Sequence, residues 1–192
     1  MFATLDKIPT WEEQTREYKK NDILNKKVSI FIGDITTLVV DAIVNSTDSM
    51  YSGGGGVDRA IHKAAGNAFD YECKSFGQLN IGQATISGGY NLPAKFVIHT
   101  AVPHDHDRKR LEECYWNSLA VALESGASTI AFPCLCTGRF GYPNKDAAHV
   151  ALRTVRKFLE ENESSVDRIV FCIFMPEDVS IYEDLMNFYF PI

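Results

Sequence analysis

The chain has 192 residues, 45% of them hydrophobic, and a formal net charge of −6, a composition that fits one folded domain with a substantial core. The acidic balance offers no basic field to displace the counterions of extended nucleic acid, and no apolar stretch is long enough to span a bilayer, so neither is expected as a partner. The N-terminal stretch carries no long apolar run, and the five cysteines are scattered; this predicts free thiols in a reducing compartment, cytoplasmic or nuclear, with a mitochondrial route left open.

The elements follow in chain order. Residues 1–24 read as a polar N-terminal extension, helix-prone over roughly 10–24, and residues 25–192 as one continuous α/β domain. Strands are predicted at Val28–Ile32, Val39–Val44, Gln83–Ser87, Phe96–Thr100, Thr129–Pro133 and Arg168–Phe174. They are short, rich in Val, Ile and Phe, and apolar on both faces, as in a sheet covered on each side. Helices are predicted at Val57–Ala65, Asn67–Lys74, Lys109–Ser125, Lys145–Glu161 and Val179–Phe188. The first has apolar residues at 57, 60, 61, 64 and 65, a 3.6-residue face, and Gly66 and Gly126 read as helix stops. The alternation, broken only by two strands in a row between Gly82 and Thr100, predicts an α/β fold. It is a three-layer α/β/α sandwich around a mixed, largely parallel sheet. Ligands of such sheets bind at the carboxyl ends of the strands.

Those ends hold the unusual residues. Between the second strand and the first long helix stand four consecutive glycines, Gly53 to Gly56. A run of residues with no side chain suits a backbone that must approach a phosphate, beside the N–H groups of a helix start; the other reading is a flexible surface turn. The run is neither a Walker loop nor a dinucleotide fingerprint. Asp58 follows in the first helical turn. The helix dipole favours an acid there for stability alone, and the same dipole should keep it ionised and weakly basic, so its catalytic reading is to orient a water. His62 shares its helix face and reads either as a substrate contact or as a structural hydrogen-bonding group.

A second turn, Thr137 to Tyr142, joins two glycines with a hydroxyl and two aromatics. Its N–H groups suit a phosphate and Phe140 or Tyr142 a sugar or base, unless it is an ordinary connecting loop. Asp34 ends the first strand, where it can accept from an exocyclic amine or cap its own turn. Metal chemistry finds no support: Cys134 and Cys136 have no second pair at zinc spacing, and His104–Asp107 reads as a solvated loop. No nucleophile stands out, which favours direct attack by water.

The segments GDITTLVVDAIVN (33–45), GGGGVDRAIHKAAG (53–66), GYNLPAKFVIHT (89–100), AFPCLCTGRFGYP (131–143) and VDRIVFCIF (166–174) together resemble the macrodomain family, and within it the MacroD-type ADP-ribosylhydrolases. The resemblance runs over essentially the whole chain. It implies a six-stranded mixed sheet and an ADP-ribose cleft, with no metal and no cofactor. Asp34 and the backbone of Ile35 would hold the adenine, with Phe174 packed on it. Gly54, Gly55, Gly56 and Val57, with Thr137, Gly138, Arg139 and Phe140, would hold the diphosphate and distal ribose; Asn45 and Asp48 would meet the ribose, and Cys136, just before the second turn, would also bind the ligand. Asp58, with His62 beside it, would be catalytic. The implied reaction removes mono-ADP-ribose from acidic side chains of proteins and deacetylates O-acetyl-ADP-ribose. ADP-ribose and mono-ADP-ribosylated proteins are the implied partners, met by a monomer.

Three positions depart from the family pattern. Asp48 stands where a second Asn is usual, Cys136 where a Ser is usual, and Arg139 where a small apolar residue is usual. An ionised Asp48 cannot donate and adds negative charge beside a diphosphate; a thiol is a weak donor; and the Arg139 guanidinium can meet either the diphosphate or Asp48. These departures keep a second expectation open, a module that binds ADP-ribose without turning it over. A third, a broader nucleotide-metabolite phosphatase, rests on the phosphate-binding fold alone.

Overall fold

The computed structural model describes residues 18–192. Most of the predicted helical extension, residues 1–17, lies outside the described residues. Of residues 18–24, only those from Asp22 are helical: α1 (Asp22–Asn25) is capped by Asn21, whose Oδ1 accepts from the N–H groups of Ile23 and Leu24. Leu24 is fully buried and belongs to the main core.

Six strands form one sheet: β1 (Val28–Ile32), β2 (Ala42–Thr47), β3 (Ala84–Gly88), β4 (Phe96–Ala101), β5 (Thr129–Phe132) and β6 (Arg168–Ile173), in the order β1-β6-β5-β2-β4-β3. All neighbours run parallel except β3, which pairs antiparallel with β4. The helices are α2 (Gly56–Ala65), α3 (Asn67–Ser75), α4 (Arg108–Glu124), α5 (Asn144–Asn162) and α6 (Pro176–Tyr189).

Side chains alternate across the sheet, and the core divides accordingly. Ile43, Val97, Ala131 and Cys172 pack with Ile61, Ala65, Phe69 and Cys73 of α2 and α3. Val44, Ile98, Ile130, Phe132, Phe171 and Ile173 pack with α4, α5 and α6 through residues such as Leu119, Leu152 and Leu185. Both faces are covered, which explains strands with little polar alternation.

The second strand is the main correction. It was expected at Val39–Val44 and lies at Ala42–Thr47. Hydrophobicity misled here: after a 3-10 turn at Ile35–Thr37 the chain passes over the surface, and Val39 is 85% exposed. The strand starts only after Asp41. That carboxylate accepts from the N–H groups of Ser128 and Thr129 (both 3.1 Å), from the Thr129 hydroxyl (2.9 Å) and from the Lys95 ammonium (2.5 Å). One side chain therefore ties the starts of β2, β4 and β5 together. The same register shift carries β2 two residues beyond Asn45, so Thr47 also lies in the strand, opposite Ala101.

The Lys95 ammonium, with the Thr129 and Ser128 donors, holds the Asp41 carboxyl well below the usual carboxylate range despite opposing desolvation. A depressed carboxyl stabilises the fold above its unfolded pKa of about 3.9 and loses that contribution as the pH falls toward its folded value. Asp41→Asn should therefore cost about 1 kcal/mol at pH 7. Urea titrations of both proteins should show the gap closing below about pH 4; an equal gap at both pH values would contradict the assignment.

Candidate active site

At the carboxyl ends of β1, β6, β5 and β2 the described residues enclose a cavity of about 420 Å³. Its lining includes Gly33, Asp34 and Ile35 after β1, Phe174 and Met175 after β6, and Pro133 and Cys134 after β5. Ser46, Thr47 and Asp48 come from the end of β2, and the run from Gly54 to Asp58 and the turn from Cys136 to Phe140 complete it. Strand order thus sets the axis of the cavity. From β1 to β2 is three strand spacings, roughly 14 Å, the scale of a nucleoside diphosphate joined to a further sugar.

At the β1 end Asp34 caps its own turn and also faces the cavity. Its Oδ1 caps the 3-10 turn, accepting from the Thr36 N–H (2.9 Å) and hydroxyl (2.8 Å), and the residue lines the cavity. Ile35 is buried. Phe174 is 72% exposed at the opening, an aromatic face left for a flat partner.

The two turns supply backbone donors. Gly56 opens α2 with φ +56° and Gly53 has φ +63°, backbone that favours glycine. The helix start has no side-chain cap, so its first N–H groups have no partner of that kind. A Cβ at Gly55 or Gly56 would meet nothing within 4 Å, so open space lies against the main chain; at Gly53 it would meet the His62 ring at 3.1 Å. The second turn closes by Gly141 N–H to Gly138 O and Tyr142 N–H to Cys136 O, both 3.0 Å. It is braced from outside: His106 Nε2 lies 3.0 Å from Phe140 O, and the His104 ring sits 4.2 Å from the Phe140 ring. The loop His104–Asp107, read from sequence as solvated, is thus also a support for Phe140.

The three departures acquire places. Asp48 Oδ1 accepts from the N–H groups of Met50 (2.9 Å) and Ser52 (3.2 Å), and its other oxygen takes the Ser52 hydroxyl. Burial opposes its charge, but Ser52, Met50 and the Arg139 guanidinium outweigh burial and hold the carboxyl below its ordinary value. Arg139 reaches from the second turn toward the first, where its Nη1 would lie 3.3 Å from a Cβ at Gly54. The Cys136 thiol donates inward to Pro103 O (2.9 Å), and its backbone has φ +70°. Its contribution to the cavity is therefore backbone and not thiol.

Asp58 is the centre of the arrangement. It is 5% exposed and lines the cavity. Asn45 Nδ2 donates to its Oδ1 (2.7 Å) and the Thr47 hydroxyl to its Oδ2 (3.0 Å). Asn45 is itself fully buried and is absent from the cavity lining; it reaches the site through Asp58. His62 is also absent from the cavity lining and stands beside Asp58 on the same helix face. Its Nδ1 lies 2.6 Å from Asp70 Oδ1, and its Nε2, 3.5 Å from Asp58 Oδ1, has no hydrogen-bond partner among the described residues. Sequence reasoning missed Thr47 and Asp70. Thr47 was legible in principle, since it stands two residues after Asn45 and so on the same strand face; the misplaced strand end concealed it.

The basicity of Asp58 is corrected. The dipole argument expected an ionised, weak base. Desolvation is the largest influence and raises the carboxyl above its ordinary value, against the lowering effects of Asn45, His62 and Thr47. Buried away from water, it is the better base of the two pictures.

A Macro domain family model matches residues 44–151. The chain belongs to the macrodomain family. Within it the chain is of the MacroD type: it is 44% identical to ADP-ribose glycohydrolase MACROD1 of Mus musculus over 100% of its own length and 64% of that relative's. The Trypanosoma brucei macrodomain, solved in complex with ADP-ribose, is 37% identical with a TM-score of 0.84, over 91% of this chain and 75% of that one. The macro domain of ganglioside induced differentiation associated protein 2 is 31% identical with a TM-score of 0.88, over 99% and 97%. The chain thus spans just under two thirds of the mouse relative.

A carboxyl raised by folding destabilises the folded state once the pH passes its folded pKa, and only below its unfolded pKa is that penalty absent. Asp58→Asn removes the buried charge and keeps an acceptor for Asn45. Thermal melting should find this variant more stable than wild type at pH 8, with the advantage shrinking toward pH 5; a variant less stable at pH 8 would contradict the electrostatic picture.

Proposed function

We propose that this macrodomain is a hydrolase that releases mono-ADP-ribose from ester-linked acidic side chains of proteins and acetate from O-acetyl-ADP-ribose. The observation that carries the reading is Asp58: a buried, donor-held carboxylate of raised basicity on the wall of a cavity between two glycine-rich turns. The names of the MACROD1 and MACROD2 relatives support it, as does the ADP-ribose complex of the trypanosomal macrodomain.

In this reading the adenine lies against Phe174, with Asp34 and the Ile35 backbone at its polar edge. The diphosphate lies over the main chain of Gly54 to Val57 and Thr137 to Phe140, where uncapped helix N–H groups favour an anion. Phe140, braced by His104 and His106, supports the distal ribose, and Asp58 holds a water beside the ester. The water oxygen bonds to the electrophilic carbon of the ribosyl ester as that carbon's ester C–O bond breaks; Asp58 takes one proton from the water, the departing oxygen keeps the bonding pair and then receives that proton, and ADP-ribose and the free carboxylic acid leave. Asn45 and Thr47 aim the carboxylate, and His62, fixed by Asp70, stands behind it as a positioning residue.

The reader alternative was motivated by Asp48 and Cys136. Asp48, however, is turned into its own loop by Met50 and Ser52 and countered by Arg139, and Cys136 offers only backbone. Neither change removes a group that this chemistry needs, and hydrolysis is the better-supported reading.

Removing a positioned base lowers rates by about 10²–10⁴-fold. Asp58→Asn should therefore lose at least about 10²-fold in release of ADP-ribose from a modified glutamyl peptide, while calorimetry finds ADP-ribose still bound. Release at the wild-type rate would refute the assignment of Asp58, and no release by wild type would refute the hydrolase reading. Arg139→Leu should weaken ADP-ribose binding about threefold at low salt, an effect erased near 1 M salt. Affinity unchanged at low salt would remove Arg139 from the diphosphate site.

A further inference from the structure

The proposed reaction accounts for the cavity wall and for Asn45, and leaves the buried polar groups behind Asn45 without a task. Asn45 of β2 and His99 of β4 are register partners on the same sheet face, and both are fully buried. His99 Nδ1 lies 3.3 Å from Asn45 Nδ2, and His99 Nε2 lies 2.9 Å from Ser87 Oγ of β3. The row runs from Ser87 through His99 and Asn45 to Asp58, across three strands and onto α2.

Its hydrogen atoms can be placed by elimination. The other neighbours of Ser87 Oγ are the carbonyls of Gly88 (3.2 Å) and Val97 (3.5 Å), which only accept. The Asp58 carboxylate requires the Asn45 amide nitrogen against it, and the same nitrogen faces His99 Nδ1, so Nδ1 accepts and Nε2 carries the hydrogen, which goes to the Ser87 oxygen while the Ser87 hydroxyl donates to a carbonyl. That choice leaves a lone pair on His99 Nδ1. Two acceptors, His99 Nδ1 and Asp58 Oδ1, then converge on Asn45 Nδ2, whose two hydrogens serve one each. The Asn45 amide is fixed with nitrogen toward the carboxylate, and its Oδ1 is buried without a partner among the described residues. A flipped amide would set a carbonyl oxygen against the Asp58 carboxylate.

We propose that His99 is a positioning residue: its neutral ring, protonated on Nε2, locks the Asn45 amide so that Asp58 faces a donor, and thereby sets how readily Asp58 accepts a proton. The kinetic part of this inference rests on the hydrolase reading; the structural part does not. The surroundings keep His99 in one form. Against its ring stand Cys73 of α3 (Sγ at 3.7 Å from Nε2) and the rings of Tyr51, Phe69 and Phe76. Burial pushes Cys73 up to about 12 and His99 down to about 3, so both stay neutral across the working range. Around Asp58 stand Asn45 and Thr47 from β2, His62 from α2 and the Asp48 charge, so His99 acts on it only through Asn45.

Two substitutions separate this role from packing. His99→Asn places an oxygen where Nδ1 was, keeping the acceptor for Asn45 while losing Ser87. His99→Gln reaches toward Ser87 and loses that acceptor. Carbon-13 titration of the Asp58 carboxyl should move upward by about one pH unit in His99→Gln and stay at its wild-type value in His99→Asn. The acid limb of ADP-ribose release should move with it, with ADP-ribose affinity changed less than twofold. Equal behaviour of the two variants, or a shift only in His99→Asn, would overturn the proposal. Should either variant fail to fold, nitrogen-15 spectra of wild type decide: an unprotonated His99 Nδ1 from pH 5 to 8 is expected, and a protonated one would overturn the proposal. These spectra read the same whether or not wild type releases ADP-ribose, so failure of the hydrolase reading is seen separately.

Discussion

A carboxylate removed from water is stable only where the protein supplies donors in place of the solvent. Asp58 is such a group, and the surrounding architecture can be traced from it. Asn45 and Thr47 give it one donor each, from alternate positions of a strand that ends beside the start of α2. The strand sits inside the sheet, and Asp41 ties its beginning to those of β4 and β5. The balance of burial against those donors leaves Asp58 more basic than an exposed carboxyl, and its place in the first helical turn puts it beside backbone N–H groups that suit an anion. In the proposed reading a base and a phosphate site thus come from one helix terminus.

The same economy appears in the two turns. Both turns present main chain to the cavity: a Cβ at Gly55 or Gly56 would meet nothing within 4 Å, Arg139 is the charged side chain that reaches between the turns, and the Cys136 thiol is directed inward. In the proposed reading, main-chain recognition explains how the site accommodates a change that looks disruptive in sequence, such as Cys136, whose thiol donates to Pro103 O. It also explains why Asp48 is tolerable, since its charge is answered by Ser52, the Met50 N–H and Arg139 before any ligand arrives.

Much of this was legible in the sequence because the signals were local. A helix face at 57, 60, 61, 64 and 65, a glycine run before it and glycines after two helices placed α2, the first turn and the sheet edge that carries the cavity. What escaped depended on long-range contacts. Val39 and Val40 look like strand, yet Asp41 begins the strand through partners nearly ninety positions away; the error hid Thr47. Asp58 was judged from its helix dipole, a neighbour in sequence, while desolvation by the whole sheet decides its basicity. His62 was placed correctly on the face of Asp58, but which way that face pointed required the sheet. Asp70 and His99 gave no signal, since a single His in an apolar strand or a single Asp on a helix is ordinary until its partner is known.

The most direct test of the account is a crystal structure of the protein soaked with ADP-ribose. The account predicts a diphosphate against the main chain of Gly54 to Val57 and Thr137 to Phe140, with the distal ribose within one water of Asp58. A nucleotide sugar seated elsewhere, or one whose distal ribose points away from Asp58, would contradict it.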